Sequence, residues 1–339
     1  MKRSGKGRAI TALFFSALLA VQGLWGTPAA AVQKTPERLV PVGHTIGIKL
    51  FADGVVVIGL AQVETTHGLR APGADCGLQV GDVIEEANGT QVESSEQFAR
   101  LLQCGGVVEL GVNRDGEELT LSATPVADDD GTYRLGAWIR DSMAGIGTVT
   151  FYDPQTGQFG ALGHGVTDGD TGLLLPLLNG SVMASKVKAV KIGSVGAPGQ
   201  LRGEFDLKHD MGTVTANTEQ GVFGCIENCD MTNKPAIPVA SRDEVREGNA
   251  VIYANVSGDQ VEEYDIEIVK ILDPTGAQNL LLRVTDQELI AKTGGIVQGM
   301  SGSPIIQNGK LVGAVTHVLV NDPTKGYGIL IENMLQAAG

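Results

Sequence analysis

The chain predicts a mainly β protein, built as two modules behind an N-terminal targeting segment. Three observations predict this. Among 339 residues there are 47 glycines and only 4% aromatics, which favours short strands and tight turns over long helices. Short runs of Val, Ile and Leu recur about every ten residues between Gly, Asp, Asn and Pro, the rhythm of sandwiches and barrels. Asp128-Asp129-Asp130-Gly131 interrupts that rhythm once and reads as a solvated linker. The length accommodates two domains and a leader. A net charge of −14, spread along the chain, excludes a nucleic-acid partner, which requires a basic face.

Residues 1–31 read as a signal peptide or membrane anchor. Lys2, Arg3, Lys6 and Arg8 precede an apolar stretch from Ile10 to Trp25, and Thr27-Pro28-Ala29-Ala30-Ala31 offers small residues for cleavage. The stretch is short for a bilayer of about 30 Å. Export places the folded part outside the cytoplasm, secreted or associated with a membrane through its N-terminus.

Residues 44–126 form the first module. Ile46-Gly47-Ile48-Lys49-Leu50 and Val55-Val56-Val57-Ile58 predict strands. Asn88-Gly89 predicts a hairpin turn. Ser94 caps a helix from about Ser95 to Cys104, with Phe98, Leu101 and Leu102 on one face. Val107 to Val112 and Glu118 to Ala123 form a hairpin around Arg114-Asp115-Gly116. Residues 132–339 form the second module, about the size of a double β-barrel, with short helices at Asp243 to Arg246 and Glu332 to Ala338. Cys76 and Cys104 share a module and could pair. Cys225 and Cys229 could close a small loop, but no second pair stands at ligand spacing. No metal and no cofactor is expected.

The chemistry is carried by Gly299-Met300-Ser301-Gly302-Ser303-Pro304. Glycines on a tight turn expose a hydroxyl while backbone N–H groups point at the same spot. Ser303 is the rival nucleophile, but Pro304 directly after it removes a donor. A serine nucleophile needs a base, and the base an orienting acid. Of the five histidines, His164 has glycines on both sides, Gly163 and Gly165, which leave its ring accessible. His317, in the apolar run Val315-Thr316-His317-Val318, competes. For the acid, Asp286 ends the run Leu280-Leu281-Leu282-Arg283-Val284. Asp168 and Asp170 compete, and the bland role for Asp286 is to cap a helix at Gln287 to Ala291.

Two resemblances follow from these residues. Gly77-Leu78-x-x-Gly81-Asp82-x-Ile84, followed by Asn88-Gly89, resembles a PDZ domain. That family adds a peptide as a strand beside an exposed edge. By analogy its carboxylate-binding loop falls near Ile46-Gly47-Ile48 or near Gly68-Leu69-Arg70. The Gly-x-Ser-Gly-x-Pro pattern resembles the nucleophile loop of chymotrypsin-like peptidases. Together with Ala161-Leu162-Gly163-His164-Gly165 and Val284-Thr285-Asp286, the chain resembles the stage IV sporulation protein B family, serine endopeptidases of endospore formers. The resemblance implies His164 as base, Asp286 as acid and Ser301 as nucleophile, on a chymotrypsin-like double barrel. The oxyanion donors would be the N–H groups of Gly299 and Ser301. Thr316 and His317 would lie along the substrate. Met300 stands where many such enzymes carry an activating aspartate.

The resemblance further implies export to the space between forespore and mother-cell membranes. There the enzyme would cleave a membrane-bound regulatory protein and so trigger a late sigma factor. It also implies self-cleavage, for which the stretch Val32 to His44 is the expected exposed site. The alternative is a catalytically inactive PDZ-type adaptor.

Overall fold

The structure, a computed structural model, describes residues 38–227, 231, 234–273, 276 and 278–339. The expected targeting segment 1–31 and Cys229 lie outside the described residues.

Two long strands organise the molecule. The first is Thr45–Leu60. Its opening half is hydrogen-bonded on both sides: Ile48 faces Val182 of Leu177–Lys191 on one side and Gly145 of Ala137–Tyr152 on the other. With Gln158–Ala161, Gly221–Ile226 and Gln200–Thr218 these strands close an antiparallel ring of six. Ile46, Ile48, Leu50, Val149 and Val182 fill it, because alternate residues of a strand face one side.

The strand then leaves the barrel. At Gly54 φ is +96°, and a Cβ there would lie 2.5 Å from the Ile84 carbonyl oxygen, so only glycine fits. From Val55 onward the strand pairs with Val83–Ala87, which pairs with Val108–Arg114 and that with Glu117–Ala123. The helix Ser95–Leu101 covers this sheet. The Ser94 hydroxyl accepts the Gln97 N–H at 3.2 Å and caps the helix, while Phe98 and Leu102 pack on Val55, Val57 and Leu110. This is the PDZ module. Its Asn88-Gly89 turn has both residues at positive φ, 53° and 71°, as the dipeptide predicts.

The second long strand, Ala137–Tyr152, also serves both modules. Ala137 faces Leu60 in the PDZ sheet, and Ile146 faces Gly47 in the barrel. Boundaries drawn at 44–126 and 132–339 therefore each assign to one module a strand that serves both. Composition marks the acidic break, but strand pairing continues past it.

A second barrel closes from Gly248–Ser257, Gln260–Ile271, Leu280–Val284, Asp322–Leu330, Lys310–Leu319 and Pro304–Gln307. Its core includes Ile252, Ile268, Leu282 and Leu289. Leu39, Phe151 and Phe223 meet Leu311, Ile329 and Met334 between the barrels, with the helix Ile331–Ala338 closing that seam.

Two expectations are corrected. Residues 38–44 are not an exposed stretch. Arg38–Pro41 is a strand paired with Phe151–Tyr152 and with Ile237–Pro238, and Leu39 and Val40 are buried. Burying two aliphatic side chains stabilises it by several kcal/mol, about 1.5–3 each. Cys76 and Cys104 do not pair, and with Cys225 they are free thiols.

Candidate active site

The loop between the helix Gln287–Thr293 and the strand Pro304–Gln307 carries Ser301. Its shape is fixed by bonds to both barrels. The Met300 N–H donates to Val297 O at 3.1 Å and the Ser303 N–H to Met300 O at 2.9 Å, forming tight turns. The Gly302 N–H donates to Val315 O in the second barrel at 2.8 Å. From the first barrel, the Thr148 N–H donates to Ser301 O at 3.0 Å and the Thr148 hydroxyl to Gly299 O at 2.7 Å. Gly302 has φ of +98°, and a Cβ on it would lie 1.9 Å from the Thr148 carbonyl oxygen. The glycine after the serine is thus a requirement of barrel contact. Among the described hydrogen bonds, the N–H groups of Gly299 and Ser301 donate to no carbonyl. Both expected oxyanion donors are therefore available.

His164 sits on a turn after the strand Gln158–Ala161 of the first barrel. Leu162 and Gly163 both have positive φ, 68° and 70°, which is uncommon for leucine and costs about 1–3 kcal/mol. The Leu162 side chain packs into the first barrel core and holds the turn in place. The His164 Nδ1 lies 2.8 Å from Gly165 O. A carbonyl only accepts, so Nδ1 carries the proton and Nε2 keeps its lone pair. That is the tautomer a general base requires. Burial holds the imidazole below its ordinary pKa, and the Gly165 carbonyl opposes this.

His164 and Ser301 line one cavity of about 470 Å³ between the barrels, together with Thr316 and His317. The Ser301 hydroxyl donates to Thr316 O at 2.6 Å. The His317 ring lies 4.6 Å from that of His164, tilted by 35°. Burial, and then the neighbouring His164, hold His317 well below its usual pKa. Both imidazoles are neutral near pH 7.

Asp286 is not in this cavity. Its Oδ1 accepts the Leu289 N–H at 2.9 Å as the N-cap of the helix Gln287–Thr293, and its Oδ2 faces the Asp265 N–H at 3.4 Å. The carboxylate sits at a helix N-terminus, where the orphan N–H groups and the dipole favour it. Among the described residues no carboxylate hydrogen-bonds His164. Asp168 and Asp170 do not supply one either. Asp168 Oδ1 accepts the Asp170 and Thr171 N–H groups at 3.0 and 2.9 Å, and both carboxylates pair with Arg140. Burial pushes the Asp168 carboxyl up, but these bonds hold it below its usual range.

Sequence reasoning missed the other wall. Ile48 and Leu50 from one shared strand, and Met143 to Ile146 from the other, complete the cavity. Their apolar character read as ordinary core, and only the pairing of the two strands brings them to the serine.

Two six-stranded barrels with a serine loop on one and a histidine turn on the other define a class, the double-barrel serine peptidases, here bearing a PDZ module. The chain belongs to the SpoIVB peptidase S55 family, whose profile matches residues 131–335. A PDZ domain profile matches residues 69–114. Over 110 residues the chain is 36% identical to the inferred zinc metalloprotease LL2128 of Lactococcus lactis subsp. lactis (strain IL1403), a stretch that is 32% of this chain and 23% of that protein. The chain thus spans less than a quarter of that relative's length. The PDZ domain of the SdrC-like protein Lmo2051 from Listeria monocytogenes is similar over 26% of this chain and 87% of its own, at 24% identity and a TM-score of 0.21. The active form of the Rv3671c protease from M. tuberculosis is similar over 59% of this chain and 75% of its own, at 15% identity and a TM-score of 0.34.

Proposed function

We propose that the protein is a serine endopeptidase in which Ser301 is the nucleophile and His164 the general base, with the Gly165 carbonyl in the orienting role. The observation that carries this reading is the shared cavity of Ser301 and His164, with Nδ1 of the histidine committed to Gly165 O. Ser301 Oγ leaves the Thr316 carbonyl by a χ1 rotation and attacks the scissile carbonyl carbon. His164 Nε2 takes the proton, then returns it to the leaving amine. The Gly299 and Ser301 N–H groups receive the developing oxyanion, each donor contributing about 3–4 kcal/mol. Asp286 acts at one remove, by capping the helix that leads into the serine loop.

The biological setting belongs to this proposal as well. Membership of the S55 family and the charged, apolar start of the sequence support export to the space between the two sporulating-cell membranes. A membrane-bound regulator would be the substrate, and its cleavage would activate a late sigma factor. Self-cleavage, in this reading, falls before Arg38, since Leu39 and Val40 are buried in a paired strand.

The test is labelling of the full-length protein with a fluorophosphonate. Labelling of wild type that vanishes in Ser301→Ala and His164→Ala supports the peptidase. No labelling of folded wild type sinks it. The second reading, a catalytically inactive PDZ adaptor, is favoured by one observation: the Ser301 hydroxyl is hydrogen-bonded to Thr316 O rather than to a base.

A further inference from the structure

One imidazole of the catalytic cavity takes no part in proton transfer at Ser301. His317 stands on the strand Lys310–Leu319 of the second barrel, and its ring lies 4.6 Å from that of His164, which comes from the first. Both rings line the same cavity. The His317 ring makes no hydrogen bond among the described residues and reaches solvent, so it is free to turn about its side-chain bonds. His164 is fixed: its Nδ1–H is held by Gly165 O, which leaves the Nε2 lone pair directed elsewhere. A ring N–H donated to a backbone carbonyl is the outer-shell arrangement that metal-ligating imidazoles have.

The surroundings choose among cations. No Asp, Glu, Lys or Arg lines the cavity among the described residues. Calcium and magnesium need oxygen ligands, above all carboxylates, and find none. Imidazole nitrogen suits zinc, copper and nickel. Two Zn–N bonds of about 2.0–2.1 Å at a tetrahedral angle set the nitrogens about 3.3 Å apart, a spacing that the tilted, closely placed rings reach when His317 turns. The Ser301 hydroxyl lines the same cavity with its proton held by Thr316 O, so its oxygen lone pairs remain for a third position. Lowered basicity keeps both nitrogens unprotonated near neutral pH. Among the described residues no group of three His, Cys, Asp or Glu side chains is placed to hold a metal. Two protein nitrogens completed by a hydroxyl or water make a site for an ion that comes and goes, not for a resident one.

We propose that His164 and His317 together bind a zinc ion, and that this ion switches the peptidase off. The inhibitory half rests on the peptidase reading, whereas the binding half does not. With its Nε2 lone pair bound to metal, His164 has nowhere to accept the Ser301 proton, and the ion bridges the two barrels across the cleft that substrate must enter. No sequence spacing marks such a site, because each barrel supplies one ligand.

The test uses full-length protein without a histidine tag, in two measurements. The first follows fluorophosphonate labelling with and without zinc chloride, each protein judged against its own metal-free rate. Zinc at about 100 µM is expected to slow wild type about tenfold, as for a Kd near 10 µM, reversibly on adding EDTA. His317→Gln is expected to be slowed less than about twofold, and magnesium to slow neither protein. The second is equilibrium dialysis against zinc, in which His164→Ala and His317→Gln are each expected to bind one ion fewer than wild type. This difference sets aside zinc held by the free thiols or by surface histidines. Equal slowing of wild type and His317→Gln, or equal zinc bound by all three proteins, would overturn the proposal. Wild type that labels normally in zinc would overturn it too and leave the peptidase reading standing. Absent labelling of folded, metal-free wild type would overturn the peptidase reading and the inhibitory half with it, and the dialysis would then decide the binding half alone.

Discussion

The loop that carries Ser301 and the turn that carries His164 are held in opposite ways. The serine loop is bound from outside: Val315 and Thr148 reach it from different barrels, and Gly302 sits against the Thr148 carbonyl where no Cβ fits. The histidine turn is held within its own barrel, by the Leu162 N–H donating to Thr148 O at 3.2 Å, by two positive-φ residues and by the next residue's own carbonyl. In the proposed reading, a nucleophile fixed by both barrels keeps its backbone donors in place before substrate arrives. In the same reading, a base oriented by backbone needs no buried carboxylate. It also gains no charge partner for its cation, so burial holds its pKa down.

Removing either chemical partner should have the largest effect. Ser301→Ala and His164→Ala are each expected to lower kcat by about 10⁶-fold, by analogy with other triad-type enzymes. Steady-state hydrolysis of casein and probe labelling measure this, and a modest loss for either would break the assignment. Next comes the scaffold of the serine loop. Gly302→Ala places a Cβ 1.9 Å from Thr148 O at a φ of +98°. It is expected to abolish labelling and to destabilise the fold, read by thermal unfolding. Labelling at the wild-type rate would show that the barrels can part there freely. Thr148→Val removes the hydroxyl bond to Gly299 O. The buried carbonyl left unpaired costs about 1–3 kcal/mol, and a lower melting temperature with reduced kcat is expected.

The histidine turn makes a smaller, sharper prediction. With burial holding His164 below 6.5, the neutral base persists to lower pH than an ordinary imidazole. The acid limb of kcat/KM is therefore expected to have its midpoint below that value, activity being lost as pH falls through it. A midpoint above 6.5 would indicate a carboxylate partner and contradict a backbone-oriented base. The same shift makes stability pH-dependent. A histidine whose folded pKa is depressed stabilises the fold fully above its unfolded pKa and loses that contribution as pH falls through the folded one. His44, His164 and His317 are all lowered, burial being the first cause in each, so unfolding is expected to become easier below about pH 6.5.

Much of this was legible in the residues. Strand rhythm, the Asn88-Gly89 turn and the Ser94 cap are local signals, and the structure carries each of them. Ser301 and His164 stand out in the sequence by their glycine-rich turns, and the structure brings both to one cavity. What was hidden depends on pairing between distant segments. Thr45–Leu60 and Ala137–Tyr152 each change sheets midway, so neither module boundary nor cavity wall can be read from one stretch. Asp286 shows the other limit. A strand-ending aspartate before a helical pattern fits both a catalytic acid and an N-cap, and the choice is made by which N–H groups lie nearby.

That ambiguity is also where the central claim is most exposed. Asparagine caps a helix about as well as aspartate, whereas aspartate to asparagine in a working triad costs about 10⁴-fold in kcat. The decisive measurement is kcat for Asp286→Asn beside Asp286→Ala. The account predicts Asp286→Asn within a few-fold of wild type, and Asp286→Ala less stable by about 1 kcal/mol through the lost cap. A loss near 10⁴-fold for Asp286→Asn in a stably folded protein would contradict it and restore Asp286 as the acid of the site.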